Sequence, residues 1–364
     1  MSNIIDYVEN EMNRFEIKKF NAVDSLVLSQ FSYVHFEQAV PDFDDNNPPV
    51  RIKDLLHAEM FGSMFHNVRD SAGNRRLLFA MAASPRFRDI RMNYHANKID
   101  FRLEEQFSAV TYQLEDGTVY VAYRGTDSTL IGWKEDFNMA FITPVPSQEE
   151  GVRYLDAIAA RMPGALRIGG HSKGGNIAVY SAIHCNPATQ DRVLTVYSHD
   201  GPGFKEGVLE SSGFRTVQDR VQKTLPQSSL IGMLLENQEN YSVVESNRIG
   251  IMQHDPFSWY VEQSDFRYTD TISGGARYMH RTLNQWLSAM SDEKRSMFVD
   301  TLFQILGASE ASTVSEFSED WRKRSIAMLG AFKNIDPETR KMVRQTINAL
   351  VKMTFKNLKA VSAR

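Results

Sequence analysis

The chain of 364 residues has a single cysteine, Cys185. No intrachain disulfide can form, which fits a reducing compartment and leads us to expect a cytoplasmic protein. Long apolar runs are also missing, and no stretch approaches the roughly 20 residues of a membrane-spanning helix. Residues 1–16 carry several acids and no apolar segment of the kind a secretory leader has, so no signal peptide is expected. An excess of one charge is missing too. The 41 Lys and Arg against 45 Asp and Glu leave a net charge of −4, which argues against a general nucleic-acid binder. No Cys/His cluster has metal-ligand spacing, and no glycine-rich loop has the phosphate-binding pattern. No cofactor is therefore expected. There is no internal repeat and no low-complexity tract. What is present is ordinary globular composition, 42% hydrophobic and 24% charged, enough for a full core.

Taken along the chain, residues 4–18 read as a short charged helix. Residues 22–36 carry apolar side chains at helical spacing with Asp24 near the start. Residues 51–68 read as a further helix containing His57 and His66, and residues 77–83 as one ended near Pro85. The period then changes. Residues 90–94, 107–114 and 118–123 alternate or run apolar as strands do, with Glu115-Asp116-Gly117 as a hairpin signal. Residues 149–162 predict an amphipathic helix, and residues 192–197 and 241–245 two more strands. Strands alternating with helices predict an α/β fold with a largely parallel sheet and right-handed crossovers. The connection 204–240 is long for such a fold and carries an apolar patch at 230–235, so it reads either as a lid or as a packed helical insertion. From residue 278 on, only helices are expected, with Thr313-x-x-Glu316 as a capping box. Residues 340–364 carry seven basic side chains and no acid. Such a helix can lie on an anionic membrane surface, but a solvated face is the preferred reading. The expected division is a core over 1–290 and a helical extension over 291–364.

Chemistry concentrates at Gly170-His171-Ser172-Lys173-Gly174, between an apolar strand (165–169) and a helical pattern (176–183). In that context G-x-S-x-G is a nucleophile elbow. The glycines let strand and helix approach, the serine oxygen stands above the sheet, and the Lys173 N–H points at a developing oxyanion. A serine needs a base, and the base needs an acid to hold its tautomer. Four histidines follow: His184, His199, His254 and His280. His254, just past an apolar strand on the edge where ligands bind, is the favoured base. Asp200, at the end of the preceding strand, is the favoured acid. Asp255 with His280 is the runner-up pair. Adjacent His254 and Asp255 side chains point apart in an extended segment, so they do not pair with each other. His35, His57, His66 and His95 read as structural or surface residues. Thr126 is the second oxyanion donor, with Arg124 and Asp136 as supports of its loop.

Tyr123-Arg124-Gly125-Thr126, Trp133, Asp136 and Gly170-His171-Ser172-Lys173-Gly174-Gly175 together resemble the class 3 lipase branch of the α/β-hydrolases. Residues 20–290 are closer to an uncharacterised bacterial family related to those lipases, through 23–26, Asp200-Gly201-Pro202-Gly203 and Met252-Gln253-His254-Asp255-Pro256-Phe257. The resemblance implies an α/β-hydrolase core and a serine hydrolase of carboxylic esters working through an acyl-enzyme. The substrate would be a small-molecule ester or an acyl-lipid. Class 3 lipases place the acid after the strand that here carries Asp255, with the histidine later, which would select Asp255 and His280. The segment around His280 reads instead as the start of a helix, so Asp200 and His254 are kept. Lys173 is unusual in that family, and a cation beside the nucleophile would favour anionic substrates. The alternatives are a peptidase or acyltransferase on the same residues, and a catalytically silent hydrolase fold serving as a binding or membrane-peripheral module.

Overall fold

A computed structural model describes residues 2–274 except 46, 101, 127–133, 137, 140–141, 206 and 236–239, and beyond them 276–277, 291, 293, 296–297, 300–301, 336–341 and 344. The expected helices from residue 278 on, the basic segment 340–364 and the division at 290/291 therefore lie largely or wholly outside the described residues.

Among the described residues, four α-helices lie within 4–83. Helix α1 (Ile4–Asn10) and helix α2 (Ala22–Phe31) each start from an asparagine, Asn3 or Asn21, whose side chain accepts the first free N–H groups while an aspartate at the third position reaches back. The first helix ends at Asn10, short of the expected residue 18. The stretch 51–68 is not the expected helix. It is strand β1 (Val50–Arg51), two 3-10 turns and the short α3 (Phe61–Met64). Ile52 and Lys53 donate their N–H groups to Ile90 and Arg88 carbonyls, so edge pairing takes the donors that a helix would use. Helix α4 (Ser71–Ala83) closes this layer.

Next come β2 (Arg91–Asp100), β3 (Glu105–Gln113) and β4 (Val119–Tyr123), then α5 (Pro146–Arg161) and β5 (Leu166–His171). Helix α6 (Lys173–His184), the short α7 (Pro187–Gln190), β6 (Val193–His199), α8 (Ser212–Val217), β7 (Val221–Pro226) and β8 (Ser242–Val244) follow. A two-stranded ribbon, β9 (Val261–Glu262) with β10 (Asp265–Phe266), precedes β11 (Tyr268–Thr269). Nine strands among the described residues form one mixed sheet in the order β1-β2-β3-β4-β5-β6-β7-β8-β11. Strands β4 to β8 run parallel, and the pairs on either side of that block are antiparallel.

Helices cover both faces. On one, α1, α2 and α4 bury Leu26, Val27, Phe31, Leu77 and Met81 against Tyr112 and Tyr120. On the other, α5 and α6 bury Leu155, Ile158, Ile177 and Ala178 against Val121, Ile168 and Val196. Each large aliphatic or aromatic side chain buried this way contributes about 1.5–3 kcal/mol. Strand β7 falls inside the stretch 204–240, so residues 221–226 are sheet core and neither lid nor helical insertion. Its polar Gln222-Lys223-Thr224 and terminal Pro226 hide the strand pattern. The carboxyl ends of β4, β5, β6, β7 and β8 now share one edge, and the candidate site lies there.

Candidate active site

Strand β5 ends at His171 and α6 begins at Lys173, leaving one residue for the turn. Ser172 takes φ 58° and ψ −131°, a conformation that costs a side-chain-bearing residue about 1–3 kcal/mol. The surrounding packing holds it there. Its N–H donates to the His199 carbonyl at 2.9 Å, and its own carbonyl accepts from Gly175 at 2.9 Å. A Cβ on Gly170 would lie 2.3 Å from the Gly174 carbonyl carbon, and one on Gly174 would lie 2.1 Å from the Tyr123 carbonyl oxygen. Both positions need glycine because three backbone segments meet there.

Two later loops reach this serine. His254 ends a 3-10 turn (Gly250–His254), and its Nε2 lies 3.0 Å from Ser172 Oγ. Its Nδ1 lies 2.6 Å from Asp200 Oδ2. A carboxylate only accepts, so Nδ1 carries the proton and Nε2 is left to accept from the serine hydroxyl. Asp200 is fully buried at the end of β6, with φ 50°. Its N–H donates to the Thr224 carbonyl, and its Oδ1 accepts from Ser229 Oγ at 2.5 Å and Gly232 N–H at 3.2 Å. The segment after β7 thus holds this carboxylate in place.

Thr126, beyond β4, donates its hydroxyl to Asp136 Oδ2 at 2.5 Å. Burial pushes the Asp136 carboxyl up to about 6, with Glu135 adding to the rise, while Lys173 and the Thr126 hydrogen bond oppose it. Asp136 Oδ1 is out of reach of solvent and has no hydrogen-bond partner among the described residues. Arg124 donates to Asn97 Oδ1 at 3.1 Å. Trp133 and Asp127 lie outside the described residues.

The Lys173 side chain departs from expectation. It does not offer a cation to the substrate. It is 1% exposed, and its ammonium donates to Gln106 O, Gln106 Oε1 and Glu135 Oε2 at 2.7, 2.8 and 2.9 Å. A lysine buried this deeply needs all three donors satisfied, so it turns inward to a carboxylate.

Asp255 is engaged elsewhere. Its Oδ2 pairs with Arg248 Nη1 at 2.6 Å and its Oδ1 accepts the Phe257 N–H, capping the turn Pro256–Ser258. His280, its partner in the runner-up pair, lies outside the described residues. His199 donates to or accepts from Ser25 Oγ at 2.9 Å on the α2 side of the sheet, and burial pushes its pKa down to about 3. His184 packs on Tyr180, ring centroids 4.1 Å apart. His95 is buried beside Phe36, and His57 is exposed beside Glu59.

Several contributors escape the sequence. His171, the middle letter of the motif, is buried and held neutral by desolvation. Its Nε2 donates to the His254 carbonyl at 2.8 Å, its Nδ1 accepts from Tyr33 OH at 3.0 Å, and its ring lies 4.5 Å from that of His254. Tyr33, Gln106, Glu135, Ser229 and Gly232 carry no local signal, because each reaches the site only through the fold. Among the described residues no group of three or more His, Cys, Asp or Glu side chains could hold a metal ion. No described helix is long and apolar enough to cross a membrane.

Solved structures similar to the chain include two lipases. The native Rhizomucor miehei lipase propeptide complex is 12% identical over 62% of this chain and 67% of its own, with a TM-score of 0.35. The M37 lipase is 14% identical over 57% of this chain and 68% of its own, with a TM-score of 0.37. No curated protein matches. Residues 81–304, which include the elbow and both loops that meet it, match the family model described as Mbeg1-like, and the chain belongs to that lipase-like family.

Proposed function

We propose that this protein is a serine hydrolase of carboxylic esters on an α/β-hydrolase fold. The observation that carries the reading is the unbroken hydrogen-bonded line from Ser172 Oγ through His254 to Asp200. Ser172 attacks the acyl carbonyl as His254 Nε2 takes its proton, and Asp200 orients the imidazole and balances its charge. The Thr126 and Lys173 N–H groups receive the oxyanion. His254 then passes the proton to the departing alkoxide. Water activated by the same imidazole hydrolyses the acyl-enzyme and restores the serine. A small-molecule ester or acyl-lipid suits the surroundings, since Ile249 and Met252, in the turn leading to His254, are 59% and 51% exposed. A cytoplasmic setting is part of the proposal and rests on the single, buried Cys185.

Labelling with a fluorophosphonate probe tests this. The wild-type protein should label, and Ser172→Ala should not. His254→Ala should slow labelling by about a hundredfold to ten-thousandfold, and His280→Ala should leave it unchanged. Labelling that persists in Ser172→Ala, or that is lost in His280→Ala, would sink the assignment. A paired ester and amide substrate screen separates an esterase from a peptidase on the same residues.

A further inference from the structure

The proposed oxyanion site has two halves that belong to different parts of the chain. One half is the first residue of α6. The other is Thr126, beyond β4, whose hydroxyl is held by Asp136. The residue that joins them is Lys173. Its backbone opens the helix after the nucleophile, and its ammonium reaches Glu135, the immediate neighbour of Asp136.

Glu135 is a junction in its own right. It is fully buried, and its Oε2 accepts the Gln106 N–H at 3.0 Å as well as the lysine. Its Oε1 accepts the Ser147 N–H at 2.9 Å, satisfying a free donor in the first turn of α5. The ammonium makes its other two hydrogen bonds to Gln106 in β3. Strand β3, the segment 134–136, the start of α5 and the start of α6 are thus tied at one point beneath the nucleophile. An ion pair this deep gains little stability over apolar side chains of the same volume, because desolvating both charges offsets their attraction. What it supplies is a fixed distance.

We propose that Lys173 is a positioning residue. Through Glu135 its side chain locks the loop carrying one oxyanion donor to the helix that carries the other, so that both donors face the carbonyl oxygen before the reaction starts. The idea rests on the serine-hydrolase reading above. It gives the lysine in the motif a role that its charge, turned away from the substrate, does not explain. Preorganised donors act only at the transition state, so loosening them should lower kcat and leave KM nearly unchanged.

The test uses three variants of the full chain: Lys173→Met, Glu135→Gln, and the two combined. Each is checked for fold by far-UV circular dichroism. Each is then assayed for fluorophosphonate labelling rate and for kcat and KM on a short-chain p-nitrophenyl ester. The single lysine variant leaves Glu135 unpaired and is the one most prone to misfold, whereas the double variant leaves no buried charge at the junction and keeps its volume. Expected is a fall in both kcat and labelling rate of about tenfold to a hundredfold in the folded variants, with KM little changed. Folded variants that label and turn over at the wild-type rate would overturn the proposal, and so would loss of fold in all three, which would make the pair a folding element alone. A wild-type protein that neither labels nor hydrolyses the ester would instead remove the hydrolase reading on which the proposal stands, a result distinguishable from either.

Discussion

Two buried ion pairs lie in different parts of this molecule and are built in opposite ways. Arg86 and Asp24, in the layer of α1, α2 and α4, are both fully buried and meet through two hydrogen bonds of 2.8 and 2.6 Å. Arg86 spends its remaining donors on the carbonyls of Asn13, Lys18 and Lys19 and lies 4.1 Å over the Phe15 ring. Asp24 also accepts from Tyr7 and from the Asn21 N–H. That pair staples a stretch of chain with little regular structure to the helical layer, and the five-donor fork of arginine suits the task. Lys173 and Glu135 use a point charge with three donors, between the start of α6, strand β3 and the segment 134–136. A guanidinium that gathers loose chain serves stability. An ammonium that ties a loop to the start of a helix would serve geometry.

The largest energetic difference should come from breaking the first pair. Arg86→Met leaves Asp24 buried without its partner and should cost about 3–5 kcal/mol in urea denaturation. The folded protein should still label with the fluorophosphonate as the wild type does. Slowed labelling in that variant would erase the distinction between the two pairs.

A smaller effect sharpens the second side. Asp136 is raised above its unfolded value, so the native state binds that proton more tightly than the unfolded chain does. Its contribution to stability is therefore greatest at low pH and is lost as pH rises from about 4 to about 6. Asp136→Asn should remove that loss, gaining about 1–3 kcal/mol over wild type above pH 6 and nothing below pH 4. Equal denaturation midpoints for variant and wild type at pH 7 would contradict it.

The smallest effect concerns the strained serine. Ser172→Gly should raise stability by about 1 kcal/mol, since glycine adopts φ 58° without a Cβ penalty, while labelling disappears. A lower denaturation midpoint would show that the hydroxyl's contacts outweigh the strain.

The elbow is legible in the sequence because its physics is local. Steric limits on one turn dictate small residues at fixed offsets from the serine, and they leave a pattern in consecutive letters. His254 and Asp200 were legible in part, as polar residues at the ends of apolar strands in an alternating fold. Strand β7 was not. An internal strand flanked by loops can carry Gln222, Lys223 and Thr224 when its neighbours satisfy them, and the apolar pattern is then lost. The inward turn of Lys173 was hidden for a similar reason. Its partner lies 38 residues earlier, and nothing adjacent to it predicts a carboxylate.

By itself the sequence determined the alternation of helix and strand, the sharp turn around Ser172 and the edge of the sheet where polar residues gather, since each follows from spacing and backbone sterics. Only the tertiary structure decided which carboxylate faces His254, which holds Arg248, and where the Lys173 ammonium goes. Those choices depend on directions and distances between segments far apart in the chain, which chain order does not encode.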